Sequence, residues 1–190
     1  MKGTLITFEG IEGCGKSTQA KMLVEHLTGN GHDVLAVREP GGSAIAEKIR
    51  ALLLDPANTA MSPVAELLLY EAARAQLVSE VIRPALDRGA VVICDRFYDS
   101  TTAYQGAGRG LRNVDFSTLN RLATRGITPD LTLFIDVPVE IGLARAKNGS
   151  EGDRIEREPE EFHNRVRQGF IAIAAAEPNR VRRVDGERGP

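Results

Sequence analysis

Gly10-Ile11-Glu12-Gly13-Cys14-Gly15-Lys16-Ser17 fits the pattern G-x-x-x-x-G-K-[ST] at every fixed position, and Thr18 follows it. Upstream, Leu5-Ile6-Thr7-Phe8 reads as a short buried parallel strand. Downstream, Ala20, Leu23, Val24 and Leu27 recur at helical spacing until Gly29-Asn30-Gly31 stops the helix. The octapeptide therefore lies between a strand and a helix. There its glycines let successive amide hydrogens point at an anion, and the positive end of the helix dipole adds to them. The pattern points to a nucleoside triphosphate, with Lys16 reaching the β and γ phosphates and the Ser17 hydroxyl on magnesium.

Outward from the loop, strand-like and helical stretches alternate along all 190 residues. The strands are expected at Leu5 to Glu9, Val34 to Val37, Val91 to Cys94, Leu131 to Asp136 and Arg180 to Val184. Four are Val, Leu and Ile runs with little alternation, the mark of strands covered on both faces, which predicts an α/β, doubly wound parallel sheet. Helices are predicted through Ile45 to Leu53, Leu67 to Ile82, Phe116 to Ala123, Val139 to about Lys147, and Phe162 to Ile173. With no repeat, low-complexity segment or linker, one domain is expected over residues 1–190.

With 42% apolar residues the chain can bury a substantial core, and its net charge of -2 gives no bulk footprint for nucleic acid or an anionic membrane. No apolar run approaches a membrane span and the start leads straight into a strand, so a cytoplasmic location is expected. Cys14 and Cys94 are too few for a disulfide framework and are read as reduced, small apolar side chains. His26, His32 and His163 lack metal-ligand spacing and are read as surface or satisfied residues.

Val91-Val92-Ile93-Cys94-Asp95 is an apolar strand ending in a carboxylate, as a magnesium-side acid requires. Glu9 ends the first strand in the same way, and strand ends at the carboxyl edge of an open sheet surround the ligand crevice. Arg38-Glu39-Pro40-Gly41-Gly42 holds an arginine and a carboxylate on a stiff turn. Arg38 and Arg96 are candidates to clamp a second phosphate bidentately, with a surface ion pair to Glu39 the alternative for Arg38. The stretch Phe97 to Gly106 concentrates aromatics and hydrogen-bonding side chains. It suits a nucleobase, Gln105 donating and accepting at a pyrimidine edge, or else a half-buried amphipathic helix. Tyr70 and Arg74, spaced i and i+4, would share a helix face, one to stack on a base and one to bond its carbonyl.

Together these pieces resemble the thymidylate kinase family of P-loop nucleoside monophosphate kinases. The resemblance rests on Phe-Glu-Gly-x-Glu-Gly-x-Gly-Lys-Ser-Thr at 8 to 18, Arg-Glu-Pro-Gly-Gly at 38 to 42, Ala72-Ala73-Arg74, and Asp-Arg-Phe-Tyr-x-Ser-x-x-Ala-Tyr-Gln-Gly at 95 to 106. Pro129-Asp130-Leu131, Asp136-Val137-Pro138 and Asp153-Arg154-Ile155-Glu156 add to it. It implies a three-layer P-loop NTPase sandwich with a five-stranded parallel sheet in the order 2-3-1-4-5, an ATP site at 10 to 18, and phosphorylation of dTMP to dTDP by MgATP in dTTP synthesis. By resemblance Arg38 and Arg96 hold the dTMP phosphate beside Glu39, Glu9 and Asp95 serve the sugar and metal side, and Tyr70 stacks on thymine. Arg74, Ser100 and Gln105 bond the base, and Tyr104 crowds the 2′ position. The family also implies a homodimer formed through helices.

The variable loop positions Ile11, Glu12, Gly13 and Cys14 carry no base, so the resemblance is to the bacterial subtype, whose transition-state arginine comes from a lid. A lid is expected at about residues 145–157, with Arg145, Lys147 and Arg154 as candidates and Arg154 preferred. By composition alone its Asn148 to Arg154 stretch equally suits a surface loop. A final helix usual in the family is not found after Val184. The rival readings are another kinase of the same fold and a regulatory GTP switch; the Asn-Lys-x-Asp motif of such switches is absent.

Overall fold

The computed structural model describes residues 3–146 and 152–188. Strands β1 (Thr4–Glu9), β2 (Val34–Arg38), β3 (Val91–Asp95), β4 (Leu131–Asp136) and β5 (Val181–Asp185) form one parallel sheet in the order β2-β3-β1-β4-β5. The helices are α1 (Lys16–Gly29), α2 (Ala44–Leu54), α3 (Pro63–Leu77), α4 (Arg83–Asp87), α5 (Tyr98–Thr101), α6 (Phe116–Ala123), α7 (Val139–Ala146) and α8 (Glu160–Ala176). This is the predicted architecture and strand order.

Two cores cover the sheet. On one side Phe8, Ile11, Phe134, Phe162, Val166 and Phe170 pack together, and on the other Leu5, Leu77, Ile82, Val92 and Phe97. Each such side chain contributes about 1.5–3 kcal/mol on full burial. β5, the one strand that is not a Val, Leu and Ile run, lies at the sheet's edge with Arg182, Arg183 and Val184 exposed.

Two π-helical segments were not predicted. Val78–Ile82 joins α3 to α4 and ends two residues before Pro84, which has no N–H to offer the turn behind it. Thr102–Gly108 continues α5, so the stretch from Tyr98 is helical as the amphipathic alternative required, but with a wider turn. That turn lets residues five apart share a face, and Ser100, Thr101, Tyr104 and Gln105 all line one cavity.

The phosphate loop rests on α7, backbone against backbone. A β-carbon on Gly13, whose φ is +66°, would lie 2.0 Å from the Gly142 carbonyl oxygen, and one on Gly142 would lie 2.6 Å from that of Glu12. Only glycine at both positions lets loop and helix approach so closely.

Candidate active site

Register fixes which side chains meet. Phe8 and Arg38 both pair with Asp95, so β1, β2 and β3 end together at the sheet's carboxyl edge, where the loop begins. There a cavity of about 290 Å³ is lined by Gly13, Lys16 and Ser17 from the loop and α1, and by Asp95 and Arg96 after β3. Arg38, Glu39, Pro40 and Arg50, with Tyr70 and the face from Ser100 to Gln105, form further parts of its walls.

At one end Lys16 Nζ donates to the Ile11 carbonyl at 2.7 Å, curling the side chain over the loop, while Ser17 Oγ donates to Asp95 Oδ2 at 2.5 Å. These two oxygens, from an exposed Ser17 and a half-buried Asp95 that both line the cavity, are hard donors of the kind magnesium takes while keeping most of its waters. No group of three or more His, Cys, Asp or Glu among the described residues is placed to hold a metal ion, so an ion there would rely on this pair and on its ligand's own oxygens.

Arg96 stands at the centre. Its φ of +71° is uncommon for a side-chain-bearing residue, and it turns the guanidinium back across the end of β1. Nη1 donates to the Gly10 carbonyl (2.8 Å) and Ser100 Oγ (3.1 Å), and Nη2 to Glu12 Oε1 (3.0 Å) and Tyr104 Oη (3.1 Å). Cζ lies 4.9 Å from the Tyr104 ring centroid. Tyr104 Oη donates in turn to Glu12 Oε1 at 2.6 Å. Burial pushes the Glu12 carboxyl up, but His163, Arg96, Lys16 and Tyr104 outweigh it and hold it at about 2. The loop's variable acid is thus an anchor for Arg96.

His163 corrects the reading of the histidines. It is fully buried on α8, with Nδ1 3.3 Å from Glu12 Oε2, and its Nε2 has no hydrogen-bond partner among the described residues. Its place on α8 beside Phe162 gave no sign of the loop, because the contact spans the whole fold.

Several expected site residues are placed otherwise. Glu9 does not line the cavity; it is fully buried and accepts from the Phe97 amide (2.7 Å) and Ser100 Oγ (2.6 Å). Burial, reinforced by the Asp99 charge, pushes its carboxyl from the ordinary 4.5 up to about 8. The folded protein then keeps a proton that the unfolded chain has released above 4.5, so this contribution to stability is complete below 4.5 and is lost as pH rises through 8. Urea unfolding from about pH 5 to about 8.5 should show stability falling by up to about 1.4 kcal/mol per pH unit from this group. Glu9→Gln should flatten that slope, and an unchanged slope contradicts the assignment.

Arg74 is also corrected. At 2% exposure its guanidinium faces no cavity and is held by Glu39 (2.8 Å), Glu71 (2.9 Å), Thr101 Oγ1 (2.9 Å) and the Phe97 carbonyl (3.3 Å). Arg38 does face the cavity, but its ion pair is to Glu47 at 3.1 Å, not to Glu39. Glu39 instead belongs to Arg74, and burial raises its carboxyl to about 7 against that partner's pull.

The arginines proposed for the lid point elsewhere. Arg145 donates to the Gly186 carbonyl at 2.9 Å, and Arg154 is buried, its Nε on the Leu53 carbonyl (2.7 Å) and its Nη1 on Glu66 (2.6 Å). Lys147 and the middle of the expected lid lie outside the described residues. The guanidinium groups that line the cavity are Arg38, Arg50 and Arg96. Arg50, held by the Pro40 carbonyl at 2.8 Å, was missed, as were Asp153 and Glu156 on the cavity wall. For Arg50 the available signal was its spacing on α2, i+3 from Glu47.

The family model for thymidylate kinase matches residues 8–189. A relative named thymidylate kinase from Geotalea uraniireducens (strain Rf4) is 54% identical over 193 residues, covering 98% of this chain and 91% of the relative. Another of that name from Geobacter sp. (strain M21) is 55% identical over 190 residues, covering 97% and 84%. The crystal structure of thymidylate kinase from Ehrlichia chaffeensis superposes with a TM-score of 0.77 at 36% identity, covering 97% of this chain and 93% of that one. With the loop, the strand order and the arginine-bearing turn after β3 all in place, the chain belongs to the thymidylate kinase family.

Proposed function

We propose that the protein transfers the γ-phosphoryl group of ATP to dTMP, giving dTDP, with magnesium held by Ser17 and Asp95. The observation that carries this reading is the single cavity that runs from Lys16, Ser17 and Asp95 to Tyr70, Tyr104 and Gln105, with Arg96 between its ends. A donor on the loop, residues Gly10 to Thr18, and an acceptor against Tyr70 would meet at that arginine.

The acceptor needs no general base, since a phosphate monoester with a second pKa near 6 is largely dianionic at pH 7. What the site must supply is position and positive charge for a group whose charge spreads over its oxygens during transfer. Magnesium, when bound, supplies part of that charge. Lys16 leaves the Ile11 carbonyl for the donor's phosphates, Arg38 and Arg96 hold the acceptor's phosphate, and Tyr104, fixed through Glu12, crowds the position of a 2′-hydroxyl. Tyr70 stacks on the base, and Ser100 and Gln105 bond its edge.

A panel of monophosphates assayed with MgATP tests the reading. dTMP is expected to turn over far better than dCMP, dGMP or UMP; equal use of UMP and dTMP would remove the role given to Tyr104, and equal use of dCMP and dTMP the role given to Gln105.

No described helix is long and apolar enough to cross a membrane. The homodimer is supported by Ile45 and Leu52 on α2, Val64 and Leu68 on α3 and Leu122 on α6, all exposed on helices that pack side by side. Sedimentation should show a dimer, and Leu68→Glu with Leu122→Glu should give a monomer; a monomeric parent protein refutes it.

A further inference from the structure

Glu66 lies in the first turn of α3, outside every motif of the sequence, yet at 1% exposure it gathers more donors than any carboxylate near the cavity. Gln105 Nε2 and Arg109 Nε donate to its Oε1 at 2.9 and 3.0 Å. Arg109 Nη2 donates to Oε2 at 2.9 Å, and Arg154 Nη1 lies 2.6 Å from the same oxygen. Each oxygen thus has two partners, and two guanidinium charges surround the group. Although burial pushes the other way, these donors hold the carboxyl below its ordinary value, so it is ionised and can only accept.

That constraint passes to Gln105. A glutamine amide can present either its oxygen or its NH₂ to a ligand, and the two ends differ only by a half-turn. Gln105 is itself 1% exposed and lines the cavity. Turning it over would set its oxygen against the Glu66 carboxylate, two acceptors with no proton between them, in a buried place where an unmade hydrogen bond is costly. We infer that Glu66 is a positioning residue for base selection: it pins the Gln105 NH₂, leaves the amide oxygen for the ligand, and so favours a base whose ring edge offers an N–H donor. A six-membered pyrimidine with N3–H, such as thymine or uracil, meets that oxygen with a proton. Cytosine meets it with a lone pair.

The inference rests on the proposed acceptor site, and one set of assays separates the two. kcat/KM is measured for dTMP and dCMP with MgATP in the parent protein, Glu66→Gln and Glu66→Asp. An amide at 66 can donate to the Gln105 oxygen, so Glu66→Gln should permit the half-turn and lower the dTMP to dCMP preference by at least about tenfold. Glu66→Asp, still acceptor-only, should keep the preference even where both rates fall. A merely structural role would depress both substrates in parallel. A folded Glu66→Gln protein with the parent's preference overturns the inference and leaves the acceptor site standing, whereas a parent without preference overturns both. Should Glu66→Gln not fold, the parent labelled with ¹⁵N-glutamine decides. The Gln105 side-chain NH₂, assigned by its loss in Gln105→Leu, should exchange with solvent at least about tenfold more slowly than that of exposed Gln168, with or without dTMP. Equal exchange overturns the inference.

Discussion

Arg96→Leu is expected to lower kcat/KM for dTMP on the order of a thousandfold, about 4 kcal/mol of transition-state stabilisation. The size follows from what the guanidinium does in one place. It lines the cavity between the two expected substrates, and it is aimed by protein groups, the Gly10 carbonyl, Ser100, Glu12 and Tyr104. A charge fixed beforehand costs no reorganisation when the transferred group becomes more charged. Arg96→Lys should recover only part of the loss, because one ammonium cannot reproduce a fork that bonds four oxygens and stacks on a ring. Steady-state kinetics beside a thermal melt separates lost chemistry from lost fold. A variant within tenfold of the parent would mean that another group carries the charge.

The second large effect is on stability. Arg74→Leu should cost about 3–5 kcal/mol, because it leaves Glu39 and Glu71 buried at 4% and 9% exposure without their cation. For a chain of this length that lowers the melting temperature by roughly 6–20 °C. Much of the cost is the stranded Glu39 charge, whose carboxyl burial already raises to about 7 with Arg74 present. Adding Glu39→Gln to Arg74→Leu should therefore restore part of the loss, and a double variant less stable than the single one would refute this account. The turn from Arg38 to Gly42 is anchored through the same pair, so activity should fall as well.

These two arginines show how far the sequence could be read. Arg96 was legible because it follows an apolar strand that ends in Asp95, and strand ends in a parallel sheet face the crevice. Arg74 was read from helical spacing with Tyr70, which predicts a shared face but not what covers it. α3 packs its arginine inward onto Glu39, while Tyr70, one turn earlier, reaches the cavity. Arg154 was misplaced for a related reason. Its motif marks the segment, but the side chain's direction depends on Glu66, 88 positions earlier in the chain.

The sequence alone determined the strand, loop and helix around Gly10 to Ser17, the parallel α/β class and the resemblance that led to the strand order, because glycines, apolar runs and their periods act through local backbone geometry. Only the tertiary structure decided which charged groups face the cavity. A buried carboxylate or guanidinium must find its counterpart wherever the fold supplies one, and Glu9 with Ser100, Glu12 with His163, and Glu66 with Gln105 and Arg154 are all partners brought together across the chain.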